Sequence, residues 1–200
     1  MNEDHYFSAD PQAPFERTSI VARVWGHELS LATGSGVFAR GRVDIGTSVL
    51  FRETEPPSSG RILDLGCGYG VIGLAIAVAA PATQVTGVDV NERAVLLARE
   101  NAAALGVADR YAVFTPETAP ETTYDEIWSN PPIRIGKPAL HQLLLTWFAW
   151  LAPEGRAVMV VGKNLGADSL QRWLGEQGYP TRRLASAKGF RVLESRPAEA

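Results

Sequence analysis

Asp64-Leu65-Gly66-Cys67-Gly68-Tyr69-Gly70-Val71-Ile72-Gly73 lies between a short apolar run and an alanine-rich one, and no other stretch constrains the fold as strongly. Glycines recur where a backbone must turn sharply and admit a ligand more closely than a Cβ allows. Gly68-x-Gly70-x-x-Gly73 matches the pattern of a nucleotide-binding turn, and Asp89 follows Gly68 by 21 residues at the end of the next apolar run, where a ribose-binding acid belongs. From residue 61 onward, runs of strand and helix length alternate, the pattern of a parallel sheet with helices on both faces. The spacing predicts strands at Arg61–Leu65, Gln84–Val88, Tyr111–Phe114, Glu126–Ser129, Ala157–Val161, Thr181–Ala185 and Phe190–Glu194. It predicts helices at Val71–Ala79, Glu92–Leu105, Pro138–Leu151 and Asp168–Gln177, with Asn91 capping the second and Gly106 ending it. A short turn at Lys188-Gly189 makes the last two strands an antiparallel hairpin at the edge of a seven-stranded, mostly parallel α/β sheet.

Upstream of the sheet, Ser19–Trp25 and Glu28–Ala32 alternate in character around Gly26-His27 and read as a β-hairpin. A glycine-rich loop at Gly34–Phe38 follows, Asp44 opens a short helix, and Glu55–Gly60 is a linker. The expected organisation is an arm over 1–16 and one domain over 17–200, divided into a hairpin-and-helix extension (17–55) and a core (60–200). At 200 residues, 46% of them hydrophobic, the chain can bury a substantial core. The single Cys67 excludes a disulfide framework, and His5, His27 and His141 have no metal-ligand spacing, so no metal is expected. The first 20 residues lack a basic start and an apolar stretch, and the longest apolar run, Leu74–Pro81, is far below a membrane span. A cytoplasmic protein, monomer or homodimer, without a membrane partner, is the expectation.

Asp64 bears on the choice of nucleoside cofactor. An acid two residues before the first glycine suits a zwitterionic methionine tail with its ammonium better than a pyrophosphate, and the tail's carboxylate can face the helix N-terminus at Val71. Both points favour S-adenosylmethionine over NAD. Asp64–Gly70 and Val88-Asp89-Val90-Asn91 resemble the first two motifs of the class I methyltransferases, which implies a Rossmann-like fold with Gly66, Cys67, Gly68 and Gly70 around the cofactor. The resemblance implies that Asp89 holds the ribose hydroxyls, that Asn91 lies near the adenine, and that Glu117 stands where relatives place an adenine-binding Asp.

Trp128-Ser129-Asn130-Pro131-Pro132-Ile133 ends the fourth strand. Two prolines cannot donate to a sheet ladder and hold the chain extended, so Asn130 projects in a fixed direction where ligands bind such sheets. The motif resembles the Asn-Pro-Pro-aromatic signature of methyltransferases that act on planar nitrogens, with Ile133 in place of the aromatic. An aryl amine's lone pair is delocalised into its ring. The Asn130 side-chain oxygen and the Pro131 carbonyl would draw its N–H bonds out and let the nitrogen pyramidalise, beside Pro132. Methylation of a cytosine carbon needs a cysteine nucleophile, and Cys67 sits in the cofactor loop. Thr33–Ala39 and Asp44–Thr47, with His5-Tyr6-Phe7 and Lys188-Gly189-Phe190, resemble the RsmC-related small-domain methyltransferases. That likeness implies guanine N2 of 16S ribosomal RNA as the target and Phe38 as the residue that stacks on a flipped base.

The net charge of −3 speaks against bulk coating of nucleic acid. Yet residues 155–200 carry eight basic and four acidic side chains, and Arg134 and Lys137 stand beside Asn130, where a phosphate of RNA would lie. Other readings stay open: the same chemistry on protein glutamine, on an adenine amine or on a small molecule; a non-catalytic cofactor-binding module; an NAD-linked oxidoreductase.

Overall fold

Alternation in Arg17–Val24 (β1) and His27–Gly34 (β2) does produce an antiparallel hairpin, within a computed structural model that describes residues 15–39 and 41–198. The His5-Tyr6-Phe7 segment and the arm up to residue 14 lie outside the described residues. Trp25 and Gly26 form the turn with φ of 47° and 82°, so it falls one residue earlier than Gly26-His27. Positive φ at both positions is the geometry that matches strand twist in a two-residue hairpin. Ile20, Ala22, Val24, Leu29 and Leu31 are buried, and they share one apolar cluster with Ile72, Leu74 and Leu97 of the core. Asn101 fastens the hairpin further, its side chain bonding both the N–H and the C=O of Ala32. The extension is thus an outer layer of the core and shares its interior.

The remaining elements are α1 (Ile45–Glu53), β3 (Gly60–Leu65), α2 (Val71–Ala79), β4 (Thr83–Val88), α3 (Glu92–Ala104), β5 (Tyr111–Phe114), β6 (Tyr124–Ser129), α4 (Lys137–Phe148), β7 (Leu151–Gly162), α5 (Ala167–Glu176), β8 (Thr181–Ala187) and β9 (Phe190–Ser195). The sheet order is β5-β4-β3-β6-β7-β9-β8, with β9 antiparallel to both of its neighbours. Strand periodicity sorts the core into two layers. Ile62 faces α1, α2, α3 and the hairpin, whereas Leu63 and Leu65 face α4 and α5. The α4 and β7 boundaries depart from expectation, because Leu151 pairs with Tyr124 and joins the strand before an irregular stretch restores the pairing of Glu126 with Arg156. Pro153 and Gly155 mask that early start. Among the described residues no helix is long and apolar enough to cross a membrane.

Two of the buried polar groups are carboxylates, Asp64 and Glu194. Tyr111 reaches beneath β4 toward Asp64, and its ring occupies the space of the missing Cβ atoms of Gly73 and Gly87. On β9, one strand in from the sheet edge, the buried Glu194 carboxylate accepts from Arg156, Arg182 and Arg196 at 2.9–3.1 Å. Burial alone would raise its pKa, but these hydrogen bonds outweigh that and lower it. Its contribution to stability is therefore present above the ordinary Glu range and lost as pH falls through the lowered value.

Candidate active site

Strand order reverses between β3 and β6, and ligands bind such sheets outside the carboxyl ends of the strands at that point. A cavity of about 470 Å³ opens there. Gly66, Gly68, Asp89 and Asn91 form one side, and Phe38, Asn130, Pro131, Pro132, Ile133 and Arg134 the other. Five further residues singled out in the sequence do not line it: Asp64, Cys67, Gly70, Glu117 and Lys137.

On the glycine side, the N–H groups of Gly66 and Cys67 both donate to the Val88 carbonyl at 2.8 and 3.0 Å, which closes the loop onto β4. Gly66 and Gly68 have φ of 71° and 56°, and a Cβ on either would meet nothing within 4 Å. The space that side chains would fill there is the cradle a nucleoside cofactor needs. Gly70 has a different task. It caps α2 at φ 93°, packed against Leu74, Ala98 and the Tyr111 hydroxyl. Asp89 accepts from Gly68 N–H and Asn91 N–H, both at 2.8 Å, so its carboxylate is aimed with acceptor capacity to spare. Burial raises its pKa, against the lowering effect of these bonds.

Asn91 caps α3 through its Oδ1 and donates from Nδ2 to Gly36, tethering the glycine-rich loop over the cavity. Asp64 is fully buried behind the loop, where Oδ2 accepts from Gly73 N–H at 2.8 Å and from Tyr111 at 3.4 Å. Its Oδ1 has no hydrogen-bond partner among the described residues. Desolvation pushes its pKa up to about 7, with the Gly73 bond opposing and the Asp89 charge adding to the rise. The thiol of Cys67 is buried, and desolvation pushes its pKa up, which suits packing and not nucleophilic attack. Glu117 points to solvent, and Pro116 takes its place on the wall.

Across the cavity, Asn130 is half-buried and its Nδ2 donates to Asp44 Oδ2 at 2.9 Å and to Thr47 Oγ1 at 3.1 Å. A carboxylate only accepts, so the amide's donor end must face Asp44, which leaves the carbonyl end as the free acceptor. Asp44 opens α1 as its N-cap, as expected, whereas its partnership with Asn130 has no signal in the local sequence. Gly46 makes room for this contact, since a Cβ there would lie 2.9 Å from Asp44 Oδ2 and from Phe190 Cε1. The Pro131 carbonyl, expected to be a second acceptor, already accepts from Ile133 N–H at 2.8 Å. With Pro132 at φ −75°, ψ 72°, this is an inverse γ-turn.

Cation placement also differs from the sequence reading. Arg156, Arg182 and Arg196 are held by Glu194, and Arg183 and Arg191 by Asp168. Arg42, Arg134, Lys137, Lys163 and Lys188 form no ion pair among the described residues. Arg42 and Arg134 line the cavity, and Lys163 N–H bonds the Gly189 carbonyl beside the wall residues Gly162 and Phe190. Among the described residues no cluster of three or more His, Cys, Asp or Glu could hold a metal.

A doubly wound sheet with a glycine cradle, an aimed acid after the next strand and an Asn-Pro-Pro turn at the switch point defines a class I, S-adenosylmethionine-dependent methyltransferase. Residues 28–194 match the family model of the methyltransferase small domain, and the chain belongs to that family. It is 31% identical to the uncharacterized Bacillus subtilis protein YbxB over 198 residues, 96% of this chain and 98% of YbxB. It is 33% identical to ribosomal RNA small subunit methyltransferase C of Pseudomonas aeruginosa over 174 residues, 84% of this chain and 51% of that one. The chain thus spans about half the length of that relative. In fold it is similar to the T. thermophilus 16S rRNA N2 methyltransferase (RsmC) solved with AdoMet and guanosine, at a TM-score of 0.74 and 24% identity, over 94% of this chain and 52% of that one.

Proposed function

We propose that the protein is a cytoplasmic methyltransferase acting on guanine N2 of 16S ribosomal RNA. The observation that carries this reading is the Asn130 amide, whose donor end is engaged by Asp44 so that its oxygen is presented to the cavity. When bound, S-adenosylmethionine supplies an electrophilic methyl on a sulfonium, which an amine nitrogen takes by direct displacement with loss of one proton. Gly66 and Gly68 give the cofactor a close backbone approach, Asp89 its ribose partner, Asn91 an ordered loop, and Asp64 a negative charge behind the methionine tail. Glu117 has no part in this reading. Asn130 accepts one N–H of the amine, which localises the nitrogen lone pair. Positioning and the exclusion of water do the rest. Phe38, 37% exposed at the mouth, and Ile133 offer apolar surface to a flipped base. The Pseudomonas relative's name supports ribosomal RNA as the partner. The proposed extension (17–55) and core (60–200) act as one unit, because Asp44 and Asn130 meet across that boundary.

The test is incubation of small-subunit particles from cells lacking this protein with labelled S-adenosylmethionine. N2-methylguanosine at a single mapped nucleotide is the expected product. Label in protein, in adenosine or nowhere would overturn the reading.

A second expectation concerns where RNA phosphates sit. Cations already engaged by Glu194 and Asp168 are poor partners, whereas Lys163 and Lys188 at the rim are free to displace counterions. Lys163→Ala with Lys188→Ala is expected to weaken particle binding about tenfold and to reduce the salt slope by about two. Arg182→Ala should leave both unchanged. Equal losses from the two variants would show that the phosphate track runs elsewhere.

A further inference from the structure

We propose that Asp44 reads the base itself and selects guanine, an inference that rests on the guanine-amine reading above. Asp44 lines the cavity, half-buried, at the N-cap of α1. Its Oδ2 is occupied, accepting from Thr47 N–H at 3.2 Å and from Asn130 Nδ2 at 2.9 Å. Its Oδ1 has no hydrogen-bond partner among the described residues and is not sealed from solvent. The cavity therefore presents two acceptors joined by one hydrogen bond: the carboxylate Oδ1 and the amide oxygen of Asn130. The Pro131 carbonyl, which already accepts from Ile133 N–H, keeps one lone pair for the amine's second N–H.

A wall with two adjacent acceptors, one of them charged, calls for a ligand edge with two adjacent donors. Of the four RNA bases, guanine has this edge, because its exocyclic N2 amine is flanked by the ring N1–H. Adenine flanks its amine with the N1 lone pair and cytosine with the N3 lone pair, and either would be set against a carboxylate. A site built to accept a ring N–H rejects analogues that lack it, because its buried acceptor is then left unpaired. Asp44 thus orients Asn130 with one oxygen and takes N1–H with the other, so that a single side chain couples the choice of base to the acceptor that activates its amine. The position of α1 makes this economical. Gly46 keeps the first turn close to Phe190, and the cap that starts the helix also aims the carboxylate.

The test uses small-subunit RNA assembled with either guanosine or 2-aminopurine riboside at the mapped nucleotide. 2-Aminopurine keeps the amine and lacks N1–H. The wild type is expected to prefer guanosine in kcat/KM by about a hundredfold, and Asp44→Asn to reduce that preference to within about threefold. The asparagine must spend its oxygen on Asn130 and turn its amide N–H toward the base. Asparagine caps helices as well as aspartate does, so melting temperature and cofactor affinity should hold, which separates base reading from misfolding. A residue that merely positioned Asn130 would slow both substrates equally. An unchanged preference in Asp44→Asn would therefore overturn the inference while leaving guanine methylation standing. A wild type that methylates no guanine would overturn both.

Discussion

Asn130→Ala is expected to slow methyl transfer about 10²–10³-fold while leaving cofactor affinity within about threefold of wild type, the size of loss seen when one hydrogen-bonding group of a preorganised site is removed. The split follows from geometry. Asn130 sits across the cavity from the glycine cradle and spends its donor end on Asp44 and Thr47, so its loss takes an acceptor from the substrate and no hydrogen bond from the Gly66–Asp89 side. Asn130→Asp sharpens the case. It keeps an oxygen toward the substrate but sets a carboxylate against Asp44 Oδ2, 2.9 Å from the atom it replaces. Two carboxylates at that distance must share a proton or separate. Asn130→Asp is therefore expected to be nearly as slow as Asn130→Ala at pH 8 and to recover partly as pH falls and the pair takes up a proton. Single-turnover rates with isothermal titration of the cofactor measure both quantities. Wild-type turnover by Asn130→Ala would remove Asn130 from the chemistry.

The sheet was legible because its signals are local. Glycines that must turn, an acid that ends a strand and a proline pair that stops one depend on a few neighbours, so Gly66, Gly68, Asp89 and Asn130 converge on one cavity as expected. What stayed hidden depends on pairing across the chain. Asp44 and Asn130 are 86 residues apart, and neither residue type announces the other. Glu194 reads as one acid on a basic strand, yet burial among Arg156, Arg182 and Arg196 makes it the counter-ion that those three cations share. The engagement of the Pro131 carbonyl was hidden for another reason: it turns on the ψ of Pro132, which proline chemistry leaves open although it fixes φ. Glu117 lies off the cavity for a local reason. The strand ends at Phe114, and the chain turns so that Pro116 meets the cavity.

Asp64→Asn is expected to separate stability from cofactor binding. The buried carboxyl has its pKa raised to about 7, chiefly by desolvation. The folded protein thus holds that proton more tightly than the unfolded chain. The group favours folding fully below about pH 4, and the advantage drains away as pH rises through about 7. A shift of about three units is worth on the order of 4 kcal/mol. Above pH 7 the protein carries a buried anion whose Oδ1 has no partner among the described residues, and a bound ammonium would offset that cost. Cofactor affinity should therefore climb from pH 6 to about pH 7.5 as Asp64 ionises, then fall above about pH 8 as the ammonium loses its proton. The asparagine keeps an acceptor for Gly73 N–H, so α2 stays anchored and the fold survives. Its affinity for S-adenosylmethionine should drop more than about tenfold at pH 7.5 and lose the climb, while the ligand-free protein loses most of the decline in melting temperature between pH 5 and pH 8. Calorimetric titration and thermal melts across that range check both halves. If Asp64→Asn kept the climb in affinity, the charge behind the loop would not be what the ammonium meets. If it kept the decline in melting temperature, the proton held in the core would belong to another group.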